Sequence, residues 1–209
     1  MASLRIPFYF GVPRCQKIGY VFFHYLAFRD TQTRERGKME SQNLYLAQMI
    51  SEYTKKDLPQ ILNVINDAAL KYKGVIPDSC WKEPYMPKRE LSCEFANGVR
   101  IFGYDKDNML VGVMGIQEIE DVTLIRHAYT LSYYQGIGVG NSLLRHLFKI
   151  NRNSSLLVGT WQDATWAIRF YIKNGFVLHT RKQTNRLLER YWQVPLKQME
   201  NSVVLEKQS

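Results

Sequence analysis

The chain has 209 residues, 45% apolar and 22% charged, which suits one substantial folded domain and excludes a wholly disordered chain. No apolar run approaches the roughly 18 residues needed to cross a bilayer, so no membrane span is expected. Three widely spaced cysteines (Cys15, Cys80, Cys93) fit neither a disulfide framework nor a zinc site, and point to a reducing, cytoplasmic setting. The net charge is +9, yet residues 1–38 hold +5 of it and the other 171 residues only +4. The excess that would favour nucleic acid therefore sits mostly outside the body of the chain.

Residues 1–38 differ from the rest. Pro7, Gly11, Pro13 and Gly19 interrupt them, and Ile18 to Phe28 is an aromatic-rich run too short to span a membrane. They read as a basic, poorly ordered extension ahead of a single domain over residues 44–207. Leu44 to Tyr53 reads as a first strand. Thr54 with Asp57 makes a capping-box pattern, Pro59 fits a first helical turn, and Leu58, Ile61, Leu62, Ile65, Ala69 and Tyr72 recur at helical spacing up to a stop at Gly74. Residues 75–86, with Pro77, Trp81, Pro84 and Tyr85, read as a packed loop. Pro87 opens a second helix, which Asn97 and Gly98 close.

Val99 to Tyr104 and Met109 to Gln117 flank the turn Asp105-Lys106-Asp107-Asn108 and predict a hairpin. A second acidic turn, Glu118 to Asp121, leads into a strand over Val122 to Leu131. Beyond the glycine-rich stretch Gln135 to Gly140 comes a helix marked by Leu143, Leu144, Leu147 and Phe148. Then follow a strand at Ser155 to Trp161, a helix at Ala164 to Lys173 ended by Asn174-Gly175, and a strand at Phe176 to Thr180. A short helix around Arg186 to Trp192 and a strand at Ser202 to Glu206 finish the chain. A run of strands, then strands alternating with helices, gives a mixed α/β sheet in one domain.

The glycine stretch carries the most chemistry. Tyr134-Gln135-Gly136-Ile137-Gly138-Val139-Gly140-Asn141 lies between an expected strand and an expected helix. Glycines there let main-chain amides approach a ligand, and the helix N-terminus adds about half a positive charge, which together make a diphosphate cradle. A P-loop is a poor fit, because Asn141-Ser142 supplies no lysine. The dinucleotide fingerprint is also poor: Asn141 stands where its last glycine belongs, and no acid follows about 20 residues on.

Gln135, Gly138 and Gly140 match, in register, the acyl-coenzyme A loop of the GNAT N-acetyltransferase superfamily, Gln/Arg-x-x-Gly-x-Gly/Ala. Some 36 residues on, Ala167 to Phe176 resembles that family's late helix, in which a tyrosine, here Tyr171, precedes a Gly-Phe pair by four residues. With the order of elements from Tyr53 to Glu206, the resemblance covers about three quarters of the chain. It implies a mixed, mostly antiparallel central sheet, splayed at the cofactor site, with helices on both faces. It also implies transfer of an acetyl group from acetyl-CoA to an amine acceptor, a small molecule or a peptide, by direct transfer in a ternary complex. No metal is called for. Two positions depart from the family pattern: Ala164 stands where many members carry an asparagine that steadies the pantetheine arm, and Ser132 where a proline often precedes the loop.

The resemblance further implies a division of labour. Main-chain amides from Gln135 through Gly136, Ile137, Gly138, Val139 and Gly140 to Asn141 would anchor the cofactor. An amide near Tyr129 or Thr130 on the splayed strand would polarise the thioester carbonyl, and Tyr171 would return a proton to the departing thiolate. The amine must lose a proton, and the base candidates near the strand are His127, Glu118 and Glu120; His127 shares strand parity with Ile125 and Tyr129, and Arg126 shares it with Leu124 and Ala128. Trp81, Tyr85 and Met86 lie where this fold meets its acceptor, and an aromatic loop suits an apolar or cation-bearing one. Arg181, Lys182, Arg186 and Arg190 form a basic patch, read as a solvated face or an attractor for the cofactor's 3′-phosphate. A homodimer stays open. Two rival functions remain at this point: a non-enzymatic acyl-coenzyme A sensor and, on charge alone, a nucleic-acid-binding module, although no such motif occurs and nucleic acid is not the expected partner.

Overall fold

The computed structural model describes residues 49–192 and 194–208. The extension expected at residues 1–38 and the first part of the expected first strand lie outside these. Seven strands form one open sheet in the order β1-β2-β3-β4-β5-β7-β6. They are β1 (Ile50–Tyr53), β2 (Arg100–Lys106), β3 (Met109–Ile119), β4 (Val122–Thr130), β5 (Ser155–Trp161), β6 (Val177–Leu178) and β7 (Ser202–Gln208). Every pairing is antiparallel except β4 with β5. The helices are α1 (Leu58–Ala69), α2 (Lys88–Ala96), α3 (Val139–Ile150), α4 (Thr165–Lys173), α5 (Arg181–Tyr191) and the short α6 (Leu196–Glu200).

Strand alternation shows how the layers are built. Ile101 and Val113 join the core beneath α1 and α2, whereas their neighbours Phe102 and Met114 join the core beneath α3 and α4. On β5, Leu156 and Val158 face α3 and α4, and Leu157 faces α5 with Leu188 and Tyr191. Helices therefore cover both faces of the sheet, as expected. α3 shows why its sequence folds as it does: Val139, Leu143, Leu144 and Leu147 make one buried stripe.

Local signals set most boundaries. The Thr54 and Asp57 capping box forms, with Thr54 N–H donating to Asp57 Oδ2 at 2.9 Å, and Pro59 lies in the first turn of α1. The β2–β3 hairpin turns tighter than expected: Asp105 and Lys106 stay in the strand, and only Asp107 and Asn108 turn, both with positive φ (53° and 62°). α5 begins five residues before the expected helix, because Thr180 and Gln183 form a second capping box. The strand expected at Phe176 to Thr180 is only two residues long, and α6 had no counterpart in the sequence reading.

β4 departs most from simple alternation. Val113 pairs with Tyr129 and Gly115 with Arg126, so three steps on β4 oppose two on β3, and His127 sits in the resulting bulge at φ 50°. The bulge resets the faces: Leu124 packs under α5, while Ala128 packs against the α3 side. The parity expected for Arg126 with both residues therefore does not hold. β4 pairs with β5 only from Val122 to Ile125, and beyond Val158 the two strands part. Main-chain groups of 126–130 that alternate toward β5 consequently face a gap rather than a partner strand.

Candidate active site

The gap between β4 and β5 opens into a cavity of about 390 Å³. Its walls come from the end of α1, the last residues of β4, the glycine turn, the start of α3, and α4. Of the site residues expected from sequence, Tyr129, Thr130, Gln135, Gly136, Gly138, Val139, Gly140, Asn141 and Tyr171 line it. Ile137 does not, and points outward at 57% exposure.

The turn is held from several directions. A 3-10 turn at Ser132–Tyr134 leaves β4, and Ser132 N–H donates to Asp67 Oδ2 of α1 at 2.6 Å. The Gln135 side chain donates back to the Thr130 carbonyl at 3.1 Å. Gly136 and Gly138 have φ of 81° and 98°, and Gly138 is the N-cap of α3 with no side chain capping it. The first intrahelical bond runs from Ser142 N–H to Gly138 O at 3.0 Å, so the amides of Val139, Gly140 and Asn141 have no partner within the helix. Gly112 lets this turn lie flat on the sheet, for a Cβ there would come within 2.5 Å of Val139 Cγ1. Asn174, just past α4, donates to Asn141 Oδ1 at 3.1 Å and to the Phe170 carbonyl at 2.9 Å, which fixes α4 to the start of α3. Open amides, a helix N-terminus and glycine geometry fit a diphosphate. The parted strands beyond it fit an extended arm.

Tyr171 is 4% exposed, wedged edge-on between Phe170 and Phe176. Burial, helped by the nearby Tyr72, pushes its phenol well above the usual range, so it holds its proton. Tyr72 is pushed up to about 12 for the same reason, with Tyr85 adding to the effect. Tyr129 rises too, from burial and then the neighbouring Tyr85 and Tyr72. The cavity thus holds neutral phenols that act as hydrogen-bond donors. Sequence reasoning singled out Tyr171 and Tyr129 but missed Tyr72, Trp166 and Lys71 as lining residues. Tyr72 was visible only as a helix-face residue, and Trp166 sits in α4 beside the motif without belonging to it.

The base candidates lie elsewhere. His127 does not line the cavity: its Nε2 lies 3.2 Å from Glu94 Oε2 on α2, and Arg126 donates to the same oxygen at 2.6 Å. Glu118, opposite Thr123 near the end of β3, and Glu120, in the β3–β4 turn, are more than about 20 Å of strand from Thr130, and Glu120 pairs with Arg190 at 2.7 Å. Ala164 is fully buried against Ile76 and Trp161, and it does not line the cavity. Neither Asp163 nor Thr165 lines the cavity, and Thr165 Oγ1 accepts from Arg169. In the basic patch, Arg181 donates to the Ser202 carbonyl and to Gln162 Oε1, both at 2.7 Å, and Arg190 is held by Glu120. Those two arginines tie the fold together.

An open sheet that parts beside an uncapped helix N-terminus defines the class: an α/β domain with open main-chain amides at the split. Residues 97–178 match the acetyltransferase (GNAT) domain. PaiA N-acetyltransferase from Thermoplasma acidophilum, solved in complex with coenzyme A, superposes with a TM-score of 0.59 at 18% identity, over 77% of this chain and 98% of its own. A GNAT-family acetyltransferase from Staphylococcus aureus gives 0.60 at 14%, over 76% and 97%. Ribosomal-protein-alanine N-acetyltransferase from Brucella melitensis gives 0.55 at 17%, over 77% and 99%. A search of curated proteins found no match. Residues 97–178 are thus similar to the GNAT domain, and the fold of the described residues is the one these acetyltransferases share. Among the described residues, no helix is long and apolar enough to cross a membrane.

Proposed function

We propose that the protein is an acetyl-coenzyme A-dependent N-acetyltransferase that transfers the acetyl group directly to an amine within a ternary complex. The observation that carries this reading is the meeting of three features in one cavity: the uncapped start of α3, the β4–β5 gap and the buried phenol of Tyr171. Acetyl-CoA supplies an acetyl thioester. The amides from Gln135 to Asn141 hold its diphosphate, and an amide near Tyr129 or Thr130 steadies the carbonyl oxygen as it gains charge, a service worth about 3 kcal/mol per donor. The amine nitrogen forms the new C–N bond, the C–S bond breaks, and one amine proton ends on sulfur. Tyr171 donates toward that sulfur.

Calorimetric titration of the full chain with coenzyme A, followed by thiol release from acetyl-CoA across an amine panel, tests this. Coenzyme A should bind, and at least one amine should be acetylated. Absence of coenzyme A binding refutes the reading; binding with no turnover on any amine favours the sensor instead.

A further inference from the structure

One wall of the cavity is built of rings. Tyr72 from the 3-10 turn Leu70–Tyr72 that follows α1, Trp166 from α4 and Tyr129 from β4 all line it, with Tyr72 5.5 Å from Trp166 and 6.4 Å from Tyr129 between ring centroids. These rings are braced from behind. Tyr85 stacks on Tyr72 at 6.0 Å and meets Tyr129 edge-on at 6.4 Å, and Trp161 Nε1–H donates to the Tyr85 hydroxyl at 3.3 Å. A wall held this way is in place before a ligand arrives.

Charge sharpens the picture. Among the described residues lining the cavity, the charged ones are Lys71 and Lys173, and no carboxylate is present. Lys71 Nζ lies 4.8 Å from the centre of the Trp166 ring, so that ring already receives an ammonium on its face. A ligand with several ammonium groups would meet two lysines and no acid to pair with. A flat apolar body would meet rings, and one amine beside Lys71 is favoured in its neutral, nucleophilic form, because a second positive charge there is repelled.

We propose that the acceptor is an aromatic monoamine, a primary amine a short chain away from a flat ring, and that Tyr72, Tyr129 and Trp166 select it. This rests on the acyl-transfer reading above. The test uses the full chain, titrated calorimetrically with phenethylamine, n-hexylamine and spermidine in the presence of saturating coenzyme A. Thiol release from acetyl-CoA with the same three amines runs beside it. Phenethylamine should bind and turn over at least tenfold better than n-hexylamine, and spermidine should do neither. Trp166→Leu should erase the aromatic advantage through the amine KM while leaving the acetyl-CoA KM unchanged, and Trp166→Phe should retain most of it. Equal use of n-hexylamine, a preference for spermidine, an advantage that survives Trp166→Leu, or binding of none of the three amines overturns the inference. Failure of coenzyme A itself to bind brings down the acyl-transfer reading instead.

Discussion

The two walls of the cavity are made by different means. The glycine turn presents main chain: its working groups are amides, and its shape is set by φ at Gly136 and Gly138. The other wall presents side chains: Tyr72, Tyr129, Trp166 and Tyr171 come from three elements spread over about half the chain. A main-chain wall resists side-chain truncation and yields to backbone strain. A ring wall does the reverse. Substitutions can separate the two.

The largest effect belongs to the ring side. Tyr171→Phe keeps the ring and its packing against Phe170 and Phe176 but removes the proton donor. We expect kcat to fall about 100-fold, the scale of a positioned acid, with the acetyl-CoA KM within about twofold of wild type. The pH behaviour follows from the sign of the shift. Because burial raises the Tyr171 phenol above its ordinary value of 10.0, the proton is present throughout neutral and mildly alkaline pH. Outright transfer to a thiolate whose thiol has a pKa of about 8.5 is uphill, so in the proposed reaction Tyr171 would share its proton through a hydrogen bond. The wild-type kcat profile should therefore show no alkaline limb below pH 10 that disappears in Tyr171→Phe. Such a limb, or undiminished turnover in the variant, removes Tyr171 from the chemistry.

On the main-chain side, Gly138→Val is the matching probe. A Cβ at Gly138 meets nothing within 4 Å, so its cost is one of conformation alone: a β-branched residue at φ 98°. Strain of about 1–3 kcal/mol would reorient the first amides of α3. Coenzyme A affinity should weaken about 30-fold by calorimetry, while a binding-competent variant retains a near-normal kcat at saturating acetyl-CoA. Unchanged affinity would mean that the amides do not hold the diphosphate.

This contrast also explains what the sequence made legible. The glycine turn is local, so Gln135, Gly138 and Gly140 announced it, and six of the seven residues from Gln135 to Asn141 line the cavity. β5 matched residue for residue, because a short apolar run flanked by polar breaks leaves little choice. The ring wall was only half visible. Trp81 and Tyr85 stood out as an aromatic loop, yet Tyr85 stands behind the wall with Trp81 5.6 Å from it, and Tyr72 and Trp166 join Tyr129 and Tyr171 in facing the cavity. Which ring fronts and which supports is decided by packing between segments far apart in sequence. The bulge at His127 was hidden for a similar reason. Alternation along β4 looked regular, and the extra residue is revealed only by the register with β3.

That bulge supplies the smallest test. Glu94 on α2 holds Arg126 at 2.6 Å and lies 3.2 Å from His127, so one carboxylate clasps both residues at the point where β4 turns toward the cavity. Burial pushes the Glu94 carboxyl up, but the nearby His127 and the charge and hydrogen bond of Arg126 together outweigh it, leaving the pKa below 4.5. A lowered carboxylate pKa contributes stability that is present above the unfolded value and is lost as pH falls through the folded one. Glu94→Gln should cost about 2 kcal/mol by chemical denaturation at pH 7, the scale of a hydrogen bond to a charged group in a half-buried site. The gap to wild type should narrow at pH 4. As a positioning residue, Glu94 acts on the amides of Tyr129 and Thr130 through the bulge, so kcat should fall about threefold to tenfold while the acetyl-CoA KM stays put. A stability loss that is the same at both pH values removes the carboxylate's charge from the account, and an unaltered kcat leaves the clasp as a feature of folding alone.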